Sequence, residues 1–541
     1  MRTTRPTMSH STTHGTATLA VGILASRLLG FVRDMLLAYL LGPGADPFLV
    51  AFRVPNFFRR LLAEGSLGMA HGAEASRRLL SGGSAAALAF SRAVCLRLFL
   101  IFLPATVLLA VLALPLTFLF APGLAAQPPA LEKSAMLLRL CLPYLPLCAA
   151  SAIAFAHASA LENFRPQAWS PLFLNCLILL AGGTALLLYP QGASPAVSGS
   201  GLTGTEILLC LGIVCGGLVQ AGVGLRCLRR PAGDAGGKAR VALPDVYALL
   251  RRLPASALGA APQQIHLLAG TMLASFLAPG GISALYFAER LFELPLGLAG
   301  VAVGLGALPR LAALAARGDR EDFSRTLSDG IRLSAFFSLP AAAGLFALAF
   351  PLADLLFGHG AFSQEQVACT AAALRIYAFG LPAMCATRPL LAAASALGLE
   401  RAPLKTACLS LVILVPVSLA GMFAAGGDPA MAAAGLALGL SAGAWANALL
   451  LLRRLRAKAI ACPLRRAAKP LVAYAVGAAL MAGGLFAIAG SRGPLHPVGL
   501  LLLILACLGL WIGVFYACNN ADARFLPDLL RRSGRSGEHN G

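Results

Sequence analysis

The chain of 541 residues is 58% hydrophobic and only 12% charged, about half the charged share of an ordinary soluble domain. A mean hydropathy of +0.79 and repeated apolar runs of about 20 residues exclude a string of soluble domains and point to a polytopic membrane protein. The net charge of +21 would suit a nucleic-acid binder if it lay on one solvated face. Instead most of the 38 Arg and 5 Lys fall in short stretches between apolar runs, so nucleic acid is not an expected partner.

In chain order, the apolar stretches predict about fourteen transmembrane helices. A polar tail over 1–15 precedes six of them, at 16–41, 47–75, 88–120, 135–160, 166–190 and 203–226. The third includes 99–120, FLIFLPATVLLAVLALPLTFLF, without a single charge. A basic loop at 227–245 leads to six more helices, at 246–277, 281–312, 328–357, 364–397, 403–424 and 430–452. A last pair, 467–489 and 496–518, lies within 453–518, and a basic tail covers 519–541. The expected fold class is an all-α polytopic membrane protein with an N-lobe over 16–226, a C-lobe over 246–452 and two additional C-terminal helices.

An even number of crossings puts both termini on one side, and the positive-inside rule assigns that side. Its loops hold 31 of the 43 basic residues, whereas the alternate loops hold only Lys133 and Arg492. Both termini are therefore expected in the cytoplasm. No cleavable signal peptide is evident, because residues 1–18 are polar and the first apolar stretch runs directly into Arg27. The 13 Cys lie mostly in apolar spans and form no CxxC pair. They read as small buried hydrophobes, and no metal site is expected.

LLAYLLGPG at 36–44 and MLASFLAPG at 272–280 match at five of nine positions, 236 residues apart. Each closes an outward-running helix, the first and the seventh. Six helices separate them, so the halves share one orientation, as parallel repeats around a central site do.

Ten basic residues remain within or at the ends of spans: Arg27, Arg33, Arg53, Arg59, Arg60, Arg97, Arg139, Arg290, Arg375 and Arg388. Each costs about 2.5–3.5 kcal/mol at a helix centre, so a polar cavity or a partner is required. For Arg97, Arg139 and Arg375, snorkelling to the headgroups suffices. It does not suffice for 26–65, where Arg27, Arg33, Asp34, Asp46, Arg53, Arg59, Arg60 and Glu64 crowd into two helices. Arg27 and Asp34 share a helix face, Arg60 and Glu64 are spaced to pair, and Pro55 should kink the second helix. In the second half, Glu289, Arg290 and Glu293 lie within about one turn, ahead of Pro295. Five arginines against three acids leave net positive charge after pairing. Guanidinium forks hold phosphate oxygens bidentately, so the residues point to transport of an anion or amphiphile with a phosphate head group.

SRLLGFVRD at 26–34, ADPFLVAFRVPNFFRRLLAEGS at 45–66 and YFAERLFELPLGLAGVAVG at 286–304 resemble the MurJ (MviN) family. These are lipid II flippases of the multidrug/oligosaccharidyl-lipid/polysaccharide exporter superfamily. LFGHGAFS at 356–363 resembles a family loop after the ninth helix. The likeness runs from the first helix to about residue 405 and more loosely beyond. It implies a flippase, not an enzyme, moving undecaprenyl-diphosphate-linked peptidoglycan precursor across the bacterial inner membrane by alternating access. It implies no cofactor, and an energy source in the membrane potential or a Na+ or H+ gradient. The family's cavity charges fall on Arg27, Arg33, Asp46, Arg59, Arg290 and Glu293. Glu64, Arg60 and Asp34 are implied in gating or ion pairing.

The chain departs from the family in two places. After EGS, relatives run Phe-Ser/Thr-x-Ala-Phe-x-Pro, whereas this chain reads LGMAHGAEASR, so the end of the second helix is expected to differ. The loop ALGLERAPLK before the eleventh helix lacks the Tyr-Ala segment and Thr-Pro of relatives. Among alternatives, a polysaccharide-lipid flippase or a drug/cation antiporter of the same superfamily would share the fold. An antiporter cavity for organic cations should be rich in carboxylates, and this one is rich in arginine. A membrane glycosyltransferase would need a sizeable polar loop with catalytic acids, but the longest loop, 227–245, is short and basic, with only Asp234 and Asp245. His266, beside Gln263 and Gln264, reads as an interhelical hydrogen-bonding histidine.

Overall fold

The computed structural model describes residues 10–60, 67–189, 201–229, 245–249, 251, 261–399, 401–458, 463–491 and 496–517. The long elements among them are all helices. The first eight are α1 (His10–Leu41), α2 (Ala45–Arg59), α3 (Leu67–Val111), α4 (Ala113–Phe120), α5 (Pro128–Cys141), α6 (Tyr144–Ala160), α7 (Arg165–Leu188) and α8 (Gly204–Cys227). They are followed by α9 (Ala261–Ala274), α10 (Gly281–Arg317), α11 (Arg320–Ala347), α12 (Ala349–Phe357) and α13 (Gln364–Ala396). The last four are α14 (Ala402–Ala424), α15 (Pro429–Arg456), α16 (Pro463–Ser491) and α17 (Pro497–Ala517). Among the described residues, ten helices are long and apolar enough to cross a membrane, or eleven if the bent pair α5 and α6 forms one span. Helices satisfy their own backbone groups, which hydrocarbon cannot do. The protein is therefore a multi-pass, all-helical membrane protein.

The described residues divide into two compact units. One runs to Ser283 and includes Gly360–Phe362; the other holds Ala284–His359 and the residues from Ser363 onward.

In the first unit α1 packs on α7, α2 on α5, α3 on α6, and α7 on α8. Proline sets two of its helix breaks. Pro115 has no N–H and crowds the carbonyl of Val111, and α3 gives way to α4 at Leu112 with non-helical geometry. Pro143 marks the 42° bend between α5 and α6. The expected loop between the second and third spans is instead helical: α3 runs from Leu67 to Val111 with non-helical geometry only at Gly83, at φ 73° and ψ −175°. No proline stands between Leu67 and Gly83, so nothing stops the helix before the glycine. Arg78 pairs with Glu74 one turn back at 2.8 Å and with Asp245 at 2.8 Å.

The same stretch takes part in a buried polar clasp. His71 Nε2 lies 3.0 Å from Ser91 Oγ, which lies 3.0 Å from His157 Nδ1 on α6, and the hydroxyl also donates to the Ala87 carbonyl. All three side chains are at most 2% exposed.

The two repeat copies both fall at helix-to-helix turns. The first closes α1 and enters a 3-10 turn, Gly42–Gly44; the second closes α9 before α10 begins. Gly42 adopts φ +48°, and a Cβ there would sit 2.0 Å from the Ala361 carbonyl oxygen. Ala361 in turn donates its amide to the Tyr39 carbonyl at 2.9 Å. The 356–363 loop thus contributes a backbone contact to the end of α1.

In the second unit α15 is flanked by α13 and α14, and α11 packs on α13 and α16. Gly435, Gly439 and Gly443 recur every four residues along α15, where a Cβ would collide with Gly421, Ser418 and Leu414 of α14. This small-residue stripe lets the two backbones touch. The C-terminal pair is attached by aromatics: Phe336 of α11 meets Tyr474 of α16 and Trp511 of α17 at 5.3 and 5.9 Å.

Candidate functional site

Most of the sequence-predicted charges lie on α1, α2 and α10. In the first unit, Arg33 is buried and committed to protein partners. Its Nε and Nη2 donate to Asp34 Oδ1 at 3.0 and 2.6 Å, and its Nη1 donates to Asn175 Oδ1 of α7 at 2.9 Å. The guanidinium also lies 5.4 Å from the centroid of the Phe52 ring on α2. Asn175 is fixed in turn by donating Nδ2 to the Ser26 carbonyl at 3.1 Å. The group ties α1 to α7 and sets one cation beside α2.

Asp46 opens α2 and is also engaged. Its Oδ2 accepts the Gly280 amide at 2.8 Å and its Oδ1 the Ser283 amide at 2.7 Å. Both amides belong to the turn into α10, where the N–H groups of the first helical turn lack intrahelical acceptors. A carboxylate there satisfies two donors and complements the helix dipole. Ser283 Oγ donates back to the Gly280 carbonyl at 2.9 Å, which closes the turn. Asp46 therefore joins the start of α2 to the start of α10 through main-chain contacts.

Further along α2, Arg53 is buried and donates to Thr271 Oγ1 of α9. Arg59 Nε donates to Asn56 Oδ1 one turn earlier at 3.0 Å. Arg60 follows directly and is half-buried, whereas Arg27 on α1 is exposed. Pro55, expected as a kink, lies buried inside the helix. Glu64, and with it the expected Arg60–Glu64 pair, falls outside the described residues.

In the second unit, Arg290 Nη1 and Glu293 Oε2 form the expected i,i+3 ion pair at 2.6 Å. The Arg290 guanidinium also covers the Tyr286 ring, 4.7 Å from its centroid. Glu293 keeps 37% of its side chain exposed against 16% for Arg290, so the acid is the more accessible partner. Among the described residues, no group of three or more His, Cys, Asp or Glu could hold a metal ion.

The site charges thus play two parts. Arg33, Asp34 and Asp46 are held by their neighbours, while Arg27, Arg59, Arg60 and the Arg290–Glu293 pair are more exposed. Sequence reasoning missed Asn175, Thr271 and Ser283, the acceptors and donors that hold the charged residues. Asn175 alone carried a signal, as an amide inside the apolar run PLFLNCLILL at 171–180.

A family model described as "Lipid II flippase MurJ" matches residues 37–507. The chain belongs to the MurJ family. It is 31% identical over 538 residues to a "Probable lipid II flippase MurJ" of Rhizobium meliloti (strain 1021), covering 96% of each chain. It is 28% identical over 521 residues to a "Lipid II flippase MurJ" of Burkholderia cenocepacia, covering 91% of this chain and 94% of that one. Among solved structures, a lipid II flippase MurJ in an inward closed conformation superposes with a TM-score of 0.74 at 20% identity, over 92% of this chain and 98% of that one. An inward-facing multidrug MATE transporter of the MOP superfamily shares the fold at a TM-score of 0.64 and 14% identity, covering 82% of this chain and 98% of that one. This MurJ-family chain thus shares its fold with both solved structures.

Proposed function

We propose that this MurJ-family protein is a lipid II flippase, a transporter that moves the undecaprenyl-diphosphate-linked peptidoglycan precursor across the bacterial inner membrane. The observation that carries this reading is the set of arginines on α1, α2 and α10 in a chain with few charges. A diphosphate presents the planar, multiply charged oxygens that guanidinium forks match. Arg27, Arg59, Arg60 and Arg290 would take those oxygens, while Arg33 and Asp34 hold the shape of the site. Glu293 would hold Arg290 when substrate is absent and yield it when a diphosphate arrives. Asp46 would act as a clasp, its two amide contacts made in one state and released in another.

Alternating access requires two arrangements of nearly equal free energy, which substrate and an external driving force bias. The membrane potential or a Na+ or H+ gradient supplies that bias in this proposal. We further propose fourteen crossings in two six-helix bundles with an added C-terminal pair, both termini being cytoplasmic. Support comes from the break at Gly83, which divides α3 into two stretches, and from the pairing of α3 with α4, α5 with α6 and α11 with α12 as broken spans. The basic residues assigned to one side by loop parity support the orientation.

Complementation tests the reading. In a bacterium depleted of its own MurJ, wild-type protein should restore growth, and Arg27→Ala or Arg290→Ala at equal membrane abundance should not. Failure of the wild type, or full rescue by both variants, would contradict it.

A further inference from the structure

Arg139 stands apart from the site just described. It lies on α5, is exposed, and has apolar neighbours that are also exposed: Leu140 at 38%, Val107 at 61% and Val111 at 70%. Side chains of this kind face hydrocarbon in a membrane protein, where a guanidinium is costly without an acceptor. Arg139 has one protein acceptor, the Ala110 carbonyl, which its Nε reaches at 3.1 Å. It has no acidic partner among the described residues. The Nε–H contact pins the guanidinium and leaves its two amino groups for another ligand.

The surface around it is a groove of about 570 Å³, lined by Thr106, Val107, Ala110, Val111, Arg139 and Pro143. The groove borders two helix breaks, that of α3 at Leu112 and that of α5 at the Pro143 bend. Charge and surroundings identify the occupant, since a cation with open donors amid exposed apolar side chains matches a lipid phosphate with its acyl chains. Glu132 is exposed near the start of α5, and seven residues, about 10 Å of helix rise, separate it from Arg139. Helical side chains lean toward the N-terminus, so the Arg139 guanidinium reaches back toward the level of Glu132.

We propose that Arg139 and this groove bind an anionic phospholipid from the leaflet at the Glu132 end of α5. Its phosphodiester accepts from the guanidinium, and an acyl chain lies along Val107 and Val111. The proposal does not depend on the flippase reading.

The test is native mass spectrometry of the full-length protein, delipidated in detergent and titrated with phosphatidylglycerol or phosphatidylcholine. Wild type should bind phosphatidylglycerol more tightly than phosphatidylcholine. Arg139→Leu should weaken phosphatidylglycerol about tenfold, the scale of one charge-assisted contact, and Arg139→Lys less. Val107→Trp keeps the arginine but fills the groove from an exposed position that no core packing depends on, and it should weaken binding similarly. Wild-type phosphatidylglycerol binding by either Arg139→Leu or Val107→Trp, or equal binding of the two lipids by wild type, would overturn the proposal.

Discussion

Arg33 shows how a membrane protein keeps a cation at depth: two neighbouring groups accept its hydrogen bonds and an aromatic ring shields it. Asn175→Leu would remove the acceptor of Nη1 and leave a buried donor unpaired, at a cost of roughly 1–3 kcal/mol. Thermal unfolding in detergent should therefore show a clear loss of stability in this variant. An unchanged transition would mean that the remaining partners hold the guanidinium without Asn175. Gly42 poses a different constraint, since it combines φ +48° with a carbonyl oxygen 2.0 Å from where a Cβ would lie. Gly42→Ala should destabilise the fold and reduce membrane abundance, and normal abundance would show that the 356–363 loop gives way cheaply. The charged residues themselves stood out in the sequence because charges are rare in this chain. Their partners did not, because Asn175 lies 142 residues from Arg33 and Gly280 lies 234 from Asp46. No local pattern encodes contacts at that separation.

At the scale of elements, the apolar runs marked the helices well, because a bilayer leaves the backbone few other choices. Pro115 and Pro143 fall at breaks for a covalent reason that is visible in the sequence. The second and third spans were less legible. The absence of a proline after the EGS motif allowed α3 to run on to Gly83, and no hydropathy signal separates a solvated helix from a solvated loop. The His71–Ser91–His157 clasp occupies that altered end and binds both limbs of α3 to α6. His157→Leu would leave the clasp incomplete and should lower the thermal transition, whereas an unchanged transition would leave the clasp without a structural role. The glycine stripe on α15 makes a further prediction. Gly435→Leu would place a branched side chain where Gly421 backbone atoms lie within 3 Å of a Cβ. Overpacking of this kind costs about 1–3 kcal/mol or more, so the variant should unfold at lower temperature than wild type. Equal stability would mean that α14 and α15 separate freely.

For the whole molecule, the scarcity of charge sharpens the meaning of each charge. Most basic residues lie between apolar runs and would set orientation, and a small group inside the spans would serve the substrate. A cytoplasmic reporter fused after Gly541 should be active and a periplasmic one silent; the reverse would overturn the proposed orientation. The family likeness spans residues 37–507, the role of the arginines rests on the match of guanidinium to phosphate, and both bear on transport. Its most direct measurement is the fraction of lipid II exposed on the outer leaflet, read with an impermeant lipid II-cleaving or lipid II-labelling probe after depletion of this protein. Exposed lipid II should fall while total lipid II is maintained or rises, and re-expression of wild type, but not Arg290→Ala, should restore it. Undiminished outer-leaflet lipid II after depletion, in cells lacking any other flippase for it, would contradict the account.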